Sequence, residues 1–189
     1  MKIKLKKFKM VKSTNDMAIK LIKKKNFSEP VLITTETQIG GKGTAGKKWI
    51  SKKGNLFITI FFKLENLKIN FRQFAVINAL FLKKLISQKI TKKIKIKWPN
   101  DLLFNEKKFC GILQEVIKVD KFSYLIVGIG LNTNIAPRNK SFQSTCLKNI
   151  INKKVSNQKI LKNILVSYAK LLKQAKKLSF SELKKDIIG

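Results

Sequence analysis

A chain of 189 residues, 44% apolar and with 13 Phe, can fill one core and leaves little room for a second full domain. Forty-two basic against ten acidic residues give a formal charge of +32, yet the apolar share is too high for the disordered class, so the chain is expected to fold. The longest apolar run, Leu56 to Phe62, falls far short of the ~20 residues of a membrane span, the lysine-alternating start lacks the apolar block of a secretory signal, and two separated cysteines with no histidine assemble neither a disulfide framework nor a usual zinc site.

Residues 1–12 alternate, with Ile3 and Leu5 against Lys2, Lys4 and Lys6, which predicts an edge strand. Ser13-Thr14-Asn15-Asp16 ahead of Met17, Ala18, Leu21 and Ile22 predicts a capped helix that stops near Asn26. Val31 to Thr35 reads as a strand, Gln38 to Lys48 as a glycine-rich loop and Asn55 to Phe62 as a buried strand. Phe74, Ile77, Phe81 and Leu85 make Phe71 to Ile86 a core helix. Four short β-like runs follow, at Ile94 to Lys97, Leu102 to Phe104, Phe109 to Val116 and Phe122 to Ile129, the middle two joined as a hairpin through Asn105 to Lys108. Ile160 to Leu178 returns to helical spacing through Leu161, Ile164, Leu165, Tyr168 and Leu172. The expected fold is a single α/β domain over 1–189, a mixed sheet flanked by helices.

The charge invites a nucleic-acid reading, because clustered cations release counterions from a phosphate backbone. All but Arg72 and Arg138 of the basic residues are lysines, however, and they run through every segment, whereas base-edge reading leans on the planar Arg fork. A solvated, lysine-biased surface is the expectation, with polyanion attraction as the alternative; an acidic protein partner would benefit either way.

Three segments carry candidate chemistry. Gln38-Ile39-Gly40-Gly41-Lys42-Gly43-Thr44-Ala45-Gly46-Lys47-Lys48-Trp49 is a cationic glycine loop whose backbone N–H groups can approach an anion, although Lys48 stands where a Walker loop needs a hydroxyl. Lys97-Trp98-Pro99-Asn100-Asp101-Leu102 fixes an amide and a carboxylate at a strand-to-strand corner, which alone is equally a turn capping its own backbone. Val127-Gly128-Ile129-Gly130-Leu131-Asn132 is a strand with a glycine-punctuated exit, too short of glycines for a dinucleotide fingerprint. Lys108, one lysine among many, is not singled out by periodicity.

In this order the segments resemble the biotin protein ligases. The matching blocks are S-T-N at 13–15, the glycine loop at 38–49, G-N-L-F at 54–57, K-W-P-N-D-L at 97–102, K-F-C-G-I-L at 108–113 and G-I-G-L-N at 128–132. The resemblance implies the biotin/lipoate ligase catalytic-domain fold, similar to class II aminoacyl-tRNA synthetases. It also implies a two-step reaction in which biotin and ATP give biotinyl-AMP and pyrophosphate, and a lysine of a biotin carboxyl carrier protein then takes the acyl group. Lysines, backbone amides and Mg²⁺ can disperse the phosphate charge of such a reaction without histidine.

By resemblance, Ser13, Thr14, Asn15 and Gln38 bind the ureido end of biotin. Gly41, Lys42, Gly43 and Thr44 belong to the loop that orders over the adenylate, with Trp49 packing beneath it. Lys108 contacts the biotin carboxylate and α-phosphate, Asp101 orients or deprotonates the carrier lysine, and Asn100, Gly111 and Asn132 shape the nucleotide side. No residue is assigned as a metal ligand. The family loop commonly reads G-R-G-R-x-G-R; Lys42, Thr44 and Lys47 stand in its place, which implies a looser hold on the adenylate. Neither an N-terminal winged helix nor a C-terminal barrel fits in the flanks, so a monofunctional, cytoplasmic ligase, a monomer or weak homodimer with no membrane or specific nucleic-acid partner, is expected. A lipoate or octanoate ligase and a basic nucleic-acid-binding module are the alternatives.

Overall fold

The computed structural model describes residues 1–25, 27–88, 90, 93–138 and 142–189. Its elements run β1 (Lys4–Val11), α1 (Thr14–Lys24), β2 (Val31–Gln38), β3 (Leu56–Lys63), α2 (Phe71–Ser87), β4 (Lys95–Lys97), β5 (Asp101–Phe104), β6 (Lys107–Val119), β7 (Phe122–Leu131), α3 (Leu147–Ile151), α4 (Asn157–Ala175) and α5 (Phe180–Ile188). The expected helix stop at Asn26 lies outside the described residues; α1 itself begins, as expected, behind a Ser13 cap whose hydroxyl accepts from the Asp16 N–H. No helix among the described residues is long and apolar enough to cross a membrane.

Among the described residues the strands form one seven-stranded sheet in the order β1-β2-β3-β7-β6-β5-β4. It is mixed: β1 pairs parallel with β2 and the remaining neighbours are antiparallel, with β1 at an edge. Period-two alternation sends alternate residues of the central strands to opposite faces. Leu32, Ile58, Ile60, Phe62, Leu125, Val127 and Ile129 pack with Phe74, Ile77, Ile164, Tyr168 and Leu183 on the face covered by α2, α4 and α5. Val31, Ile33, Phe61, Tyr124 and Ile126 pack with Ala18 and Ile22 on the face covered by α1. Because both faces are buried, β3 and β7 read as nearly continuous apolar runs.

Two helices escaped the sequence reading. Helix α5 opens on a reciprocal capping box, Ser179 with Glu182, and buries only Leu183 and Ile187, too short a stripe for periodicity to register. Helix α3 is five residues long and follows a strap, residues 142–146, that crosses the start of β6. The Lys107–Phe104 hairpin between β5 and β6 turns at Asn105 and Glu106, both with positive φ.

Candidate active site

Helix α1 covers only one end of its sheet face. Beyond it the same face is made by Phe57 and Thr59 of β3, Gly128 and Gly130 of β7, and Gly111 and Leu113 of β6, which the register sets side by side. Three glycines on adjacent strands leave a hollow where side chains would fill the layer, and the Gly40–Trp49 segment roofs it. The result is a narrow cavity, about 50 Å³ beneath the flap, that opens to solvent.

One end of the cavity is polar and buried. The Thr14 N–H and hydroxyl both donate to Gln38 Oε1, at 2.8 and 3.2 Å, while Gln38 Nε2 donates to Ser51 Oγ at 2.9 Å. Asn15, only 2% exposed, accepts from the Thr59 hydroxyl at 2.6 Å and donates to Glu115 at 2.6 Å, so its amide orientation is fixed on both sides. It lies directly over Gly128, where a Cβ would collide with the Asn15 amide. Ser13, the helix cap, completes this end.

The roof is a flap with hairpin character rather than an open loop. Lys42 bridges to Lys48, Gly43 N–H donates to Lys47 O at 2.6 Å, Trp49 N–H donates to Gly41 O at 2.9 Å, and a turn of 3₁₀ helix at Thr44–Gly46 forms the tip. Lys42 pairs with Asp16 of α1, tying the flap to the wall, and that hydrogen bond holds its ammonium above the ordinary lysine range. The Trp49 ring lies against Gly111 and Gly130, close enough that a Cβ at either would strike it. Its indole N–H is buried without a hydrogen-bond partner among the described residues, a donor available to an acceptor inside the cavity.

At the other end Lys108 Nζ meets Asp101 Oδ1 at 2.7 Å, both side chains 17% exposed. The ammonium also faces the rings of Trp49 and Phe142, at 5.4 and 5.2 Å from their centroids. Asn100 secures the corner: its carbonyl accepts from the Ile112 N–H at 2.8 Å and its amide donates to the Ile112 carbonyl at 3.1 Å. Beneath the pair, burial pushes the Cys110 thiol up to about 12, with the Asp101 charge acting in the same direction.

Of the residues singled out from sequence, Ser13, Thr14, Asn15, Gln38, Lys42, Gly43, Thr44, Trp49, Asn100, Asp101, Lys108 and Gly111 line this one cavity. Two do not. Gly41 sits in the flap stem, its Cα facing Ser51, Trp49 O and Gln38 Nε2. Asn132, expected on the nucleotide side, has its side chain turned into a buried network, donating to Thr145 O at 3.2 Å and accepting from Asn55 at 3.3 Å. The sequence reading missed Thr59, Glu115, Asp16 and Phe142. The first three are legible only once the register is known, and Phe142 only once the strap is seen to cross β6.

The Biotin/lipoate A/B protein ligase family matches residues 7–132. Similar relatives include the Bifunctional ligase/repressor BirA of Bacillus subtilis, 27% identical over 151 residues that cover 77% of this chain and 46% of that protein. The Biotin--[acetyl-CoA-carboxylase] ligase of Paracoccus denitrificans is 32% identical over 128 residues, covering 66% of this chain and 52% of that one. Among solved structures, Biotin protein ligase from Aquifex aeolicus in complex with biotin and ATP superposes with a TM-score of 0.80 at 29% identity, covering 97% of this chain and 76% of that one. The chain spans about half the length of these two curated relatives. With the matched region holding the cavity's walls, flap and Lys108–Asp101 pair, the chain belongs to the biotin/lipoate A/B protein ligase family.

Proposed function

We propose that this chain activates biotin with ATP and passes the acyl group to a lysine of a carrier domain of a biotin-dependent carboxylase. The observation that carries the reading is a single cavity with a fixed, uncharged polar end at Thr14, Asn15 and Gln38 and a charged end at Lys108 and Asp101. A ureido group presents both N–H donors and a carbonyl acceptor, which amides and hydroxyls held at fixed angles can pair as the ring is buried. A relative and a structural neighbour whose names specify biotin support the same substrate over lipoate.

In the first step the biotin carboxylate attacks the α-phosphorus of ATP and pyrophosphate leaves. Lys108 would face the negative charge that gathers there, partly shielded from water by Trp49 and Phe142, where a cation acts more strongly than in bulk solvent. Mg²⁺ would neutralise triphosphate charge when bound, held chiefly by the substrate phosphates, since Asp101, the carboxylate among the described lining residues, is already paired with Lys108. The flap, closed by Lys42 and Asp16, would keep water from the mixed anhydride. In the second step a carrier amine attacks the acyl carbon and AMP leaves; no protein nucleophile is needed.

The test is biotin-dependent ATP–pyrophosphate exchange, run beside lipoate and octanoate, followed by transfer of labelled biotin to a carrier domain. Exchange with biotin alone is expected, and Lys108→Ala should lower its rate by about tenfold or more. Exchange with lipoate and not biotin, or none with folded protein, overturns the assignment.

A further inference from the structure

We infer that Asn55, at the entry to β3, is a positioning residue for Lys108. Its side chain is 3% exposed and uses all four of its hydrogen-bonding positions. The amide donates to Ile135 O at 2.8 Å and Asn132 Oδ1 at 3.3 Å, and its oxygen accepts from the N–H groups of Asn134 and Ile135 at 3.0 and 2.9 Å. Asn132, so oriented, donates to Thr145 O at 3.2 Å and accepts at its own carbonyl from the Leu147 N–H at 2.9 Å, gripping both ends of that stretch of the strap. The strap in turn clamps Lys108 by its backbone: Thr145 N–H donates to Lys108 O at 2.9 Å, and Lys108 N–H donates to Gln143 O at 3.0 Å.

Lys108 is therefore held at its main chain by a segment anchored to a different strand. Phe142, on the same strap, faces its ammonium. The side chain is long and flexible, and keeping it beside Asp101 in one place costs rotamer entropy that only a rigid surround can offset. Removing Asn55 leaves two backbone N–H groups and the Asn132 oxygen without a partner, so the strap shifts and Lys108 loses its clamp.

The catalytic part of this inference rests on the proposed adenylation; the structural part does not, and the experiment reads both. Wild type, Asn55→Ala and Asn55→Asp are treated with an acetylating ester, and the labelling of Lys108 is followed by peptide mass spectrometry against Lys118 and Lys173 as internal references. Asn55→Asp retains an acceptor for the Asn134 and Ile135 N–H groups and loses only the donors. Labelling at Lys108 is expected to rise on the order of tenfold in Asn55→Ala and in the same direction in Asn55→Asp, with the reference lysines unchanged, as the loss of one or two buried hydrogen bonds would give. In the exchange assay Asn55→Ala should lower kcat by a similar factor with the biotin KM held, and should lower it no further in a Lys108→Met background. A wild type without exchange sinks the adenylation reading and leaves the labelling result to decide the clamp. Unchanged Lys108 labelling, additive losses with Lys108→Met, or loss of cooperative unfolding in both Asn55 variants overturns the assignment.

Discussion

Gly128→Ala tests whether the polar end of the cavity is as rigid as its hydrogen bonds imply. A Cβ at this position would lie 2.9 Å from Asn15 Cγ and 3.1 Å from Nδ2, and closer still to Oδ1, whereas ordinary contact begins near 3.4 Å. Asn15 has to retreat, but it is 2% exposed and fastened to Thr59 and Glu115, each at 2.6 Å, so any retreat stretches short bonds. Overpacking a site that cannot yield costs about 1–3 kcal/mol, which in a chain of this size lowers the melting temperature by roughly 2–12 °C. Biotin binding, read by calorimetry, should weaken by about tenfold or more as the amide leaves its angle. Gly130→Ala is the matched control. Its Cβ would strike the Trp49 ring, with Cζ2 and Nε1 at 2.6 Å, but that ring rides on the flap and can swing away. The Gly130 variant should therefore lose less stability than the Gly128 variant. Equal melting of Gly128→Ala and wild type, or a larger loss in Gly130→Ala, refutes the reasoning.

Asp16→Asn removes the acidic partner of Lys42, whose side chain is 47% exposed; stability should move by less than about 1 kcal/mol, while trypsin cleavage at the flap lysines accelerates, and an unchanged cleavage rate would show that the pair does not hold the flap. Burial pushes the Cys110 thiol from its ordinary 9.0 up to about 12 when folded, so the stability it contributes is complete below pH 9 and declines above it; urea midpoints between pH 9 and 11 should fall less steeply in Cys110→Ala, and parallel slopes would discount the thiol. Asp101→Asn should slow transfer to the carrier more than it slows pyrophosphate exchange, with transfer recovering as pH rises; a larger loss in exchange would move Asp101 out of the second step.

The legible parts of the sequence were those where one residue type has one local use. Ser13 before an apolar stripe gave the α1 cap, and the period-two and continuous apolar runs gave seven strands, because neither signal depends on distant residues. The cavity's floor was not legible in that way: Gly111, Gly128 and Gly130 become neighbours only through the pairing of β6 with β7, which local pattern does not encode. The motifs located Lys108 and Asp101 but not their contact, since that arises from the β5–β6 register. The bracing contacts of Asn132 were not legible for the related reason that a glycine-flanked polar residue at a strand exit suits a ligand contact and a buried brace equally.

On the proposed reading, the Lys108–Asp101 pair would let a histidine-free site serve both steps. Adenylation transfers no proton to the protein, so its demand is for positive charge at the phosphate, which Lys108 would meet. Amide formation has the opposite demand, because a carrier lysine with a pKa of about 10.4 is free amine only about once in 2,500 at pH 7 and must shed a proton. On the proposed reading Asp101 would meet that ammonium, and in the resting site its carboxylate is paired with the same Lys108 that the first step would draw toward phosphate. Drawing Lys108 away to the adenylate would thus uncover the carboxylate at the moment an incoming ammonium needs an anion to meet. On that reading one ion pair, by exchanging partners, would order the two steps in time without a histidine.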